Sequence, residues 1–132
     1  MKHVEVVAGI IFYDDEILCM KRPKGRHDYT SLKYEFPGGK IEIGESEQQA
    51  LKRELMEEME LEVEIKEPFL VVNHTYPDFS LTMHSYICRV DKPNFVMKEH
   101  VDYKWLQVQE LDELVWADAD KPIVEKLMSA VK

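Results

Sequence analysis

The segment from Gly39 to Leu61, GKIEIGESEQQALKRELMEEMEL, constrains this chain more than any other part of it. It holds seven glutamates but only three basic residues. If its second half is helical, three glutamates at positions i, i+3 and i+4 share one face: Glu54, Glu57 and Glu58. A Pro-Gly-Gly turn at 37–39 precedes the helix, and its backbone can approach a ligand closely. A carboxylate cluster beside a glycine turn predicts a divalent-cation site.

The apolar residues of the same helix bear on whether these carboxylates bind an ion or only face solvent. Leu51, Leu55 and Met59 form a stripe beside the acidic face, which puts the glutamates at the margin of the core. Ionised carboxylates about 6 Å apart repel by roughly 3 kcal/mol per pair at an effective dielectric near 20. Exposed side chains relieve this by splaying, so a solvated acidic face is the alternative. As a ligand set, oxygen atoms favour Mg²⁺ or Mn²⁺ over Zn²⁺.

Composition limits the classes of partner. With 132 residues, 45% of them hydrophobic, the chain is expected to form one domain over 1–132. Its net charge of −9 argues against a nucleic-acid polymer, because phosphate contacts need Lys and Arg. A small phosphorylated substrate stays compatible if metal ions bridge the charges. No apolar run approaches the roughly 20 residues that span a bilayer, so no membrane partner is expected. We expect a monomer or homodimer.

The two cysteines, Cys19 and Cys88, have neither a metal-binding spacing nor the pattern of a disulfide framework. The N-terminus, MKHVEVVAGIIF, lacks the layout of a signal peptide. Both features favour the reducing cytoplasm as the location.

The hydrophobic pattern predicts strands on both sides of the acidic helix. Three strands precede it, at 4–12, 16–21 and 34–36. The helix is predicted from about Glu45, or from Ser46 acting as N-cap, to about Glu60. Four strands follow, at 62–67, 69–76, 79–90 and 103–108, and Pro122 begins a C-terminal helix that ends at Val131. This order predicts an α+β fold in which a mixed sheet packs between two helices.

The spacing within the acidic segment resembles the signature of the Nudix hydrolases. The matching positions are Gly39, then after five residues Glu45, then after seven more Arg53-Glu54-Leu55, followed by Glu57, Glu58 and Leu61. The resemblance extends through VEVVAGIIF, YEFPGGK and ADKPIVEKL to the small MutT-type nucleoside triphosphate pyrophosphohydrolases. One position departs: the signature's second glycine is Glu60 here. A non-glycine residue in a left-handed helix end costs about 1 kcal/mol or shifts the end of the helix.

The resemblance implies the Nudix fold, an α/β/α sandwich, and metal-dependent hydrolysis of a nucleoside diphosphate linked to another group. For MutT-type members it implies attack of water on the β-phosphorus of a nucleoside triphosphate, which gives a monophosphate and pyrophosphate. The implied ligands of Mg²⁺ or Mn²⁺ are Glu54, Glu57, Glu58 and the backbone carbonyl of Gly39.

Two further residues enter the implied catalytic machinery. Arg53 is expected to pair with Glu45 and so fix the helix against the preceding loop. Glu99, before the last strand, matches a position that family members use as a metal ligand or base, and the general base is therefore Glu54 or Glu99. The candidate catalytic residues are thus Arg53, Glu54, Glu57 and Glu99.

Four residues are candidates for substrate binding: Arg22, Phe36, Lys40 and Asp120. Arg22, at a strand end, suits an anion, whereas Lys24 and Arg26 in the same basic loop are expected to be solvated. Phe36 offers a ring to a base, and Lys40 suits a phosphate.

Asp120 carries the prediction about the base. It lies where similar MutT-type enzymes that read an oxidised guanine have asparagine. An ionised aspartate only accepts hydrogen bonds, which suits the amine of cytosine. CTP, dCTP or a 5-modified dCTP are the predicted substrates, and an oxidised-purine triphosphate of the 8-oxo-dGTP type is the alternative. Asp120 could instead serve the N-terminus of the last helix. A non-catalytic nucleotide-sensing module is disfavoured because every signature glutamate is present.

Overall fold

A computed structural model of the protein describes residues 1–25 and 27–130, and its sheet is built around the first strand. Strand β1 (Lys2–Tyr13) pairs in parallel with a distant strand, Phe79–Arg89, along almost its whole length. Its other edge is shared by two antiparallel partners. The middle of β1 pairs with Gly38–Lys40, and its end pairs with β2 (Glu16–Lys21). This division leaves an opening beside β1 where the two partners part.

Three further pairings complete the description of a seven-stranded mixed sheet. β2 pairs antiparallel with β3 (Tyr34–Glu35), and the strand Gly38–Lys40 is β4. The long strand β5 (Glu64–Thr75) pairs antiparallel with β6, which is Phe79–Arg89. The last strand, β7 (Asp102–Gln107), pairs antiparallel with β2.

The two helices lie on opposite faces of this sheet. Helix α1 (Glu47–Met59) and helix α2 (Lys121–Ser129) belong to separate apolar cores. Side chains of β1 alternate between them, so Val7 packs in the core under α1 and Ala8 in the core under α2. The predicted α+β class, with a mixed sheet between helices, is confirmed. None of the described helices is long and apolar enough to cross a membrane.

Helix α1 begins and ends where the sequence predicts. The Ser46 hydroxyl accepts the Gln49 N–H at 3.1 Å, and the Gln49 side chain accepts the Ser46 N–H at 2.9 Å, which forms a capping box. At the other end Glu60 takes the left-handed conformation, with φ 48° and ψ 40°. The glycine-to-glutamate change therefore does not move the end of the helix, although this backbone conformation favours glycine.

Strand β5 differs from the prediction. The sequence suggested two strands, 62–67 and 69–76, on either side of Pro68. The structure has one strand with register shifts between Ile65 and Glu67 and between Pro68 and Leu70. At the second shift the Ser85 hydroxyl donates to the Leu70 carbonyl at 2.7 Å and accepts the Leu70 N–H at 3.1 Å. The side chain substitutes for ladder bonds, so the strand bulges instead of ending.

The Pro-Gly-Gly segment also differs, since part of it is a strand and not only a turn. Within β4, Gly38 pairs with Ala8 and Gly39 with Val7. Two short 3₁₀ segments, Val108–Glu113 and Asp118–Asp120, connect β7 to α2. Arg26 and the predicted helix end at Val131 lie outside the described residues.

Gly38→Ala is expected to destabilise the protein by about 2 kcal/mol, because a Cβ at this position would overlap the Val7 carbonyl group. Chemical denaturation measures the change. The control is Gly25→Ala, where the nearest atom to the added Cβ is 3.9 Å away. Wild-type stability for Gly38→Ala would show that β4 does not lie this close to β1.

Candidate active site

The guanidinium of Arg53 ties helix α1 to the segment before it. Nε and Nη2 donate to the two oxygens of Glu45, at 2.6 and 2.9 Å, in a bidentate pair. Nη2 also donates to the Lys40 carbonyl at 2.9 Å, and Nη1 donates to Glu54 at 3.0 Å and to Glu57 at 2.7 Å. One side chain thus sets the positions of the signature's first glutamate, the glycine strand and two of the three clustered carboxylates.

Glycine at position 39 is required by Glu54. A Cβ at Gly39 would overlap the Glu54 carboxyl group, so any larger residue would push this carboxylate away from β4. The close approach brings the carboxylate of α1 beside the backbone of β4, which is the arrangement that a shared ion would need.

A cavity of about 380 Å³ opens between β1, β3, β4 and the loops that follow β2 and β6. It brings together seven of the predicted site residues, namely Arg22, Phe36, Gly39, Lys40, Glu58, Glu99 and Asp120. The other three, Arg53, Glu54 and Glu57, do not line it but lie next to its wall through the contacts of Arg53 with Lys40 and of Glu54 with Gly39. The candidate site residues are therefore one neighbourhood.

The carboxylates at this wall are electrostatically strained. Burial raises the pKa of Glu58 to about 8, and the charges of Glu54, Glu35 and Glu99 add to the shift. Burial also raises the pKa of Glu54, against the opposing hydrogen bond and charge of Arg53. Glu58 Oε2 is buried and has no hydrogen-bond partner among the described residues. Such a group needs either a proton or a cation.

The donors fit a divalent cation in kind. They are oxygen atoms, as Mg²⁺ and Mn²⁺ prefer, and one of them, Glu58 Oε2, is buried without a partner. Within 1–25 and 27–130 no three acidic, histidine or cysteine side chains converge as a ready-made coordination shell. Glu54 and Glu57 each give an oxygen to Arg53 Nη1. Ion binding therefore requires these carboxylates to turn while Arg53 keeps its hold on Glu45.

Asp120 lies in the cavity wall and is 5% exposed. Its Oδ1 accepts the backbone N–H of Phe36 at 3.1 Å. Burial raises its pKa well above the ordinary aspartate value, and the charge of Glu35 adds to this, while the Phe36 N–H and Arg22 oppose it. Asp120 holds the N-cap position of α2, but its side chain makes no capping hydrogen bond. Its side-chain contact is therefore with Phe36, and the alternative of an acid favoured by the dipole of α2 stays a prediction.

Phe36 has a partner that the sequence did not reveal. Its ring stacks on Trp116 with centroids 4.7 Å apart and planes 26° apart. Trp116 is fixed by its indole N–H, which donates to the Leu111 carbonyl at 2.7 Å, and by the backbone bridge to Tyr34. Position 116 follows a 3₁₀ segment, and no periodic pattern there signals a contact with residue 36.

A second missed arrangement centres on Glu35. One oxygen accepts from Arg22 Nη1 at 3.0 Å, and the other contacts Nε2 of the buried His100 at 2.9 Å. Arg22 Nε is buried without a partner among the described residues. Arg22, the candidate anion-binding residue, is therefore held by Glu35 through Nη1, while its Nε–H donor is unused. The sequence offered one signal, since Glu35 alternates with the two aromatic residues of its strand.

Comparison with known proteins decides the family. The profile of the NUDIX domain matches residues 6–126. The chain belongs to the Nudix hydrolase family.

Individual members of this family resemble the chain over nearly its full length. A CTP pyrophosphohydrolase from Escherichia coli K12 is 36% identical over 131 residues, covering 98% of this chain and 94% of that protein. An 8-oxo-dGTP diphosphatase from the same organism is 30% identical, covering 96% and 98%. The solution structure of a MutT protein from methicillin-resistant Staphylococcus aureus 252 is 38% identical, with a TM-score of 0.77 and coverage of 98% and 99%. The predicted Nudix membership and hydrolase class are confirmed, and the family's use of divalent metal ions applies to this chain.

The strained Glu58 gives a stability prediction for the metal-free Nudix domain. The folded protein keeps this proton up to about pH 8, whereas an unfolded chain releases it near 4.5. Stability should therefore fall as the pH rises between these values. Glu58→Gln removes this loss and is expected to gain about 1 kcal/mol at pH 8, well under the full linkage value because the carboxyl is partly solvated.

Thermal unfolding in EDTA at pH 5 and pH 8 measures the effect, with exposed Glu62→Gln as the control. A Glu58→Gln gain that is equal at both pH values would contradict the role of the ionised carboxylate. With excess Mg²⁺ the order of the two proteins should reverse, because the ionised Glu58 carboxylate of the wild type would attract the cation and the amide would not.

Proposed function

We propose that the chain hydrolyses nucleoside triphosphates to monophosphate and pyrophosphate with Mg²⁺ or Mn²⁺, and that cytosine nucleotides are favoured. Asp120 carries the proposal. Its buried carboxylate lines the same cavity as Glu58 and Glu99, so one cavity offers an acceptor for a base beside carboxylates for an ion. The match of both E. coli relatives over nearly the whole chain supports the general activity.

Glu54, Glu57, Glu58 and the Gly39 carbonyl would hold the ion. When bound, the divalent cation neutralises phosphate charge and lowers the pKa of the attacking water. Arg53 would act indirectly, because its Nη1 donates to Glu54 and Glu57 and so orients both carboxylates. Either Glu54 or Glu99 would accept the proton of the water that attacks the β-phosphorus. Glu99 is exposed and lines the cavity, which suits a group that must reach a solvent molecule.

The triphosphate would meet the cationic part of the wall. Arg22 has an unused buried Nε–H donor, and Lys40 follows the two glycines at the cavity edge. Phe36, backed by Trp116, would contact the flat base next to Asp120. Because the Phe36 N–H engages Asp120 Oδ1, the second oxygen would accept from the exocyclic amine of cytosine.

Oxidised-purine triphosphates are the second candidate, and one observation favours them. The raised pKa of Asp120 makes a protonated carboxyl accessible, and a protonated carboxyl donates as well as accepts. It then offers the hydrogen-bonding capacity of asparagine to a guanine carbonyl. The similarity to an 8-oxo-dGTP diphosphatase at 30% identity supports this candidate, and the similarity to a CTP pyrophosphohydrolase at 36% supports the first.

Glu57→Gln tests the metal role. The amide keeps the length of the side chain but loses the charge, and a loss of about 3 kcal/mol in transition-state stabilisation would lower kcat roughly 100-fold. Release of pyrophosphate from CTP with Mg²⁺ is the measurement. The control, Glu47→Gln, lies on the same helix with its carboxylate 2.6 Å from the Tyr86 hydroxyl, away from the cavity. Near-normal turnover by Glu57→Gln would show that Glu57 is not a metal ligand. If the wild type hydrolysed no nucleotide, a nucleotide-sensing module would be favoured instead.

The two candidate substrates respond to pH in opposite directions. As Asp120 ionises, the acceptor for cytosine strengthens and the donor for guanine is lost, so the ratio of kcat/KM for dCTP to that for 8-oxo-dGTP should rise. Titration of the shared metal ligands cancels in this ratio. A rise of about tenfold with increasing pH fits the 1–3 kcal/mol of one base contact.

Asp120→Asn should flatten this profile, because an amide keeps both its donor and its acceptor at every pH. A wild-type ratio that stays flat, or a rise that persists in Asp120→Asn, would assign base choice to other residues. A panel with CTP, dCTP, 5-methyl-dCTP, UTP, ATP, GTP and 8-oxo-dGTP, with products identified, ranks the substrate classes directly.

A further inference from the structure

The loop 91–101, which joins β6 to β7, carries Glu99 to the cavity. Its backbone is attached at two points among the described residues. The Val96 N–H donates to the Met59 carbonyl at 2.9 Å, and the Val101 N–H donates to the Lys21 carbonyl at 3.0 Å. Glu99 lies between these attachments and is exposed. Because neither backbone attachment is at residue 99 itself, the position of the Glu99 carboxylate depends on what the neighbouring side chains contact.

The two neighbours of Glu99 differ in what they contact. Lys98 pairs with Glu60 at 2.9 Å, but both side chains are about half exposed, so the pair is weak. The His100 side chain is 5% exposed, and its Nε2 lies 2.9 Å from Glu35 Oε2. A carboxylate accepts, so the imidazole N–H donates in a buried, charge-assisted hydrogen bond. His100 is thus the firm attachment next to Glu99.

Glu35 is attached through both its backbone and its side chain. It belongs to β3, where it pairs with Met20 of β2, and its other oxygen holds Arg22 Nη1 at 3.0 Å. His100 therefore connects the loop to the same carboxylate that orients the candidate phosphate-binding arginine.

We infer that His100 is a positioning residue, which holds the Glu99 carboxylate at the cavity by donating from Nε2 to Glu35. The inference deepens the proposed function and rests on it, since Glu99 is there the proton acceptor or an added metal ligand. Displacement of a reacting group by about 1 Å lowers rates roughly 100-fold. Loss of this attachment should therefore lower kcat and leave substrate binding nearly unchanged.

The kinetic test compares two substitutions at position 100. His100→Leu removes the donor at similar volume and should lower kcat for CTP at least about tenfold, with KM within roughly threefold. His100→Gln carries an amide donor at about the same reach and should keep most of the rate. His100→Asn, which is polar but too short to reach Glu35, should behave like leucine and replaces it if His100→Leu does not fold.

A double-mutant cycle asks whether His100 acts through Glu99. Glu99→Gln combined with His100→Leu should be no slower than Glu99→Gln alone, because the carboxylate that His100 positions is already gone. The control in the same loop is Lys98→Gln, which cuts the exposed ion pair and should stay within about twofold of the wild type.

Amide hydrogen exchange gives a readout that needs no turnover. In His100→Leu the amides of Val96 and Val101 should exchange at least about tenfold faster, while amides within β1 keep their protection. If the wild type hydrolyses no nucleotide, the proposed function fails, and exchange still tests the attachment.

Several results would overturn the inference. They are normal kcat in His100→Leu or His100→Asn, equal losses in His100→Gln and His100→Leu, additive losses in the double mutant, a loss in Lys98→Gln as large as in His100→Leu, or unchanged exchange in the loop.

Discussion

The bidentate pair between Arg53 and Glu45 is the contact on which the site depends. Helix α1 packs its apolar face against the sheet. Apolar contacts alone would not place the carboxylates of its other face within a fraction of an ångström. A planar guanidinium gripping one carboxylate with Nε and Nη2 does so, and the same group reaches the Lys40 carbonyl. The carboxylates of α1 therefore face β4 before any ligand arrives.

The clustered carboxylates favour binding of a cation, but their mutual repulsion destabilises the folded protein when no cation is bound. Three glutamates face a wall that also carries Glu35, Glu99 and Asp120, and burial weakens the ionised form of several of them. In the free protein Arg53 relieves part of the strain, and the raised pKa values of Glu58 and Asp120 reflect the rest. A divalent ion would offset the same repulsion more completely. The cavity is thus less stable without its ligands, as is common for sites assembled ahead of binding.

Local signals in the sequence predicted the parts of the molecule that local chemistry decides. Ser46 and Gln49 mark the start of α1, and the spacing of Glu54, Glu57 and Glu58 places them on one helix face whatever the fold. Arg22 was predicted from its place at a strand end, Phe36 from its ring and Asp120 from similarity to the family, and the structure gathers all three around one cavity.

The contacts that the sequence did not predict are set by distant partners. Trp116 meets Phe36 because a bridge joins two segments about 80 residues apart, and His100 meets Glu35 across a similar separation. Two strands were predicted on either side of residue 68, but the structure has one bulged strand in which the Ser85 hydroxyl bonds to the Leu70 backbone. The two glycines suggested a turn, whereas in the structure a side chain at Gly38 is excluded by the backbone of β1 and one at Gly39 by the Glu54 carboxyl group.

The parallel pairing of β1 with β6 has a consequence for how the protein is made. Lys2 pairs with Phe79 and Phe12 with Arg89, so β1 leaves the ribosome well before its parallel partner, which lies almost 80 positions later. Closing so long a loop precedes any gain from the contact, which slows folding. Until β6 emerges, the valines and isoleucines of β1 lack their parallel neighbour and are open to association with other chains. The cavity wall that β1 helps to form is thus completed only after β6 has been made.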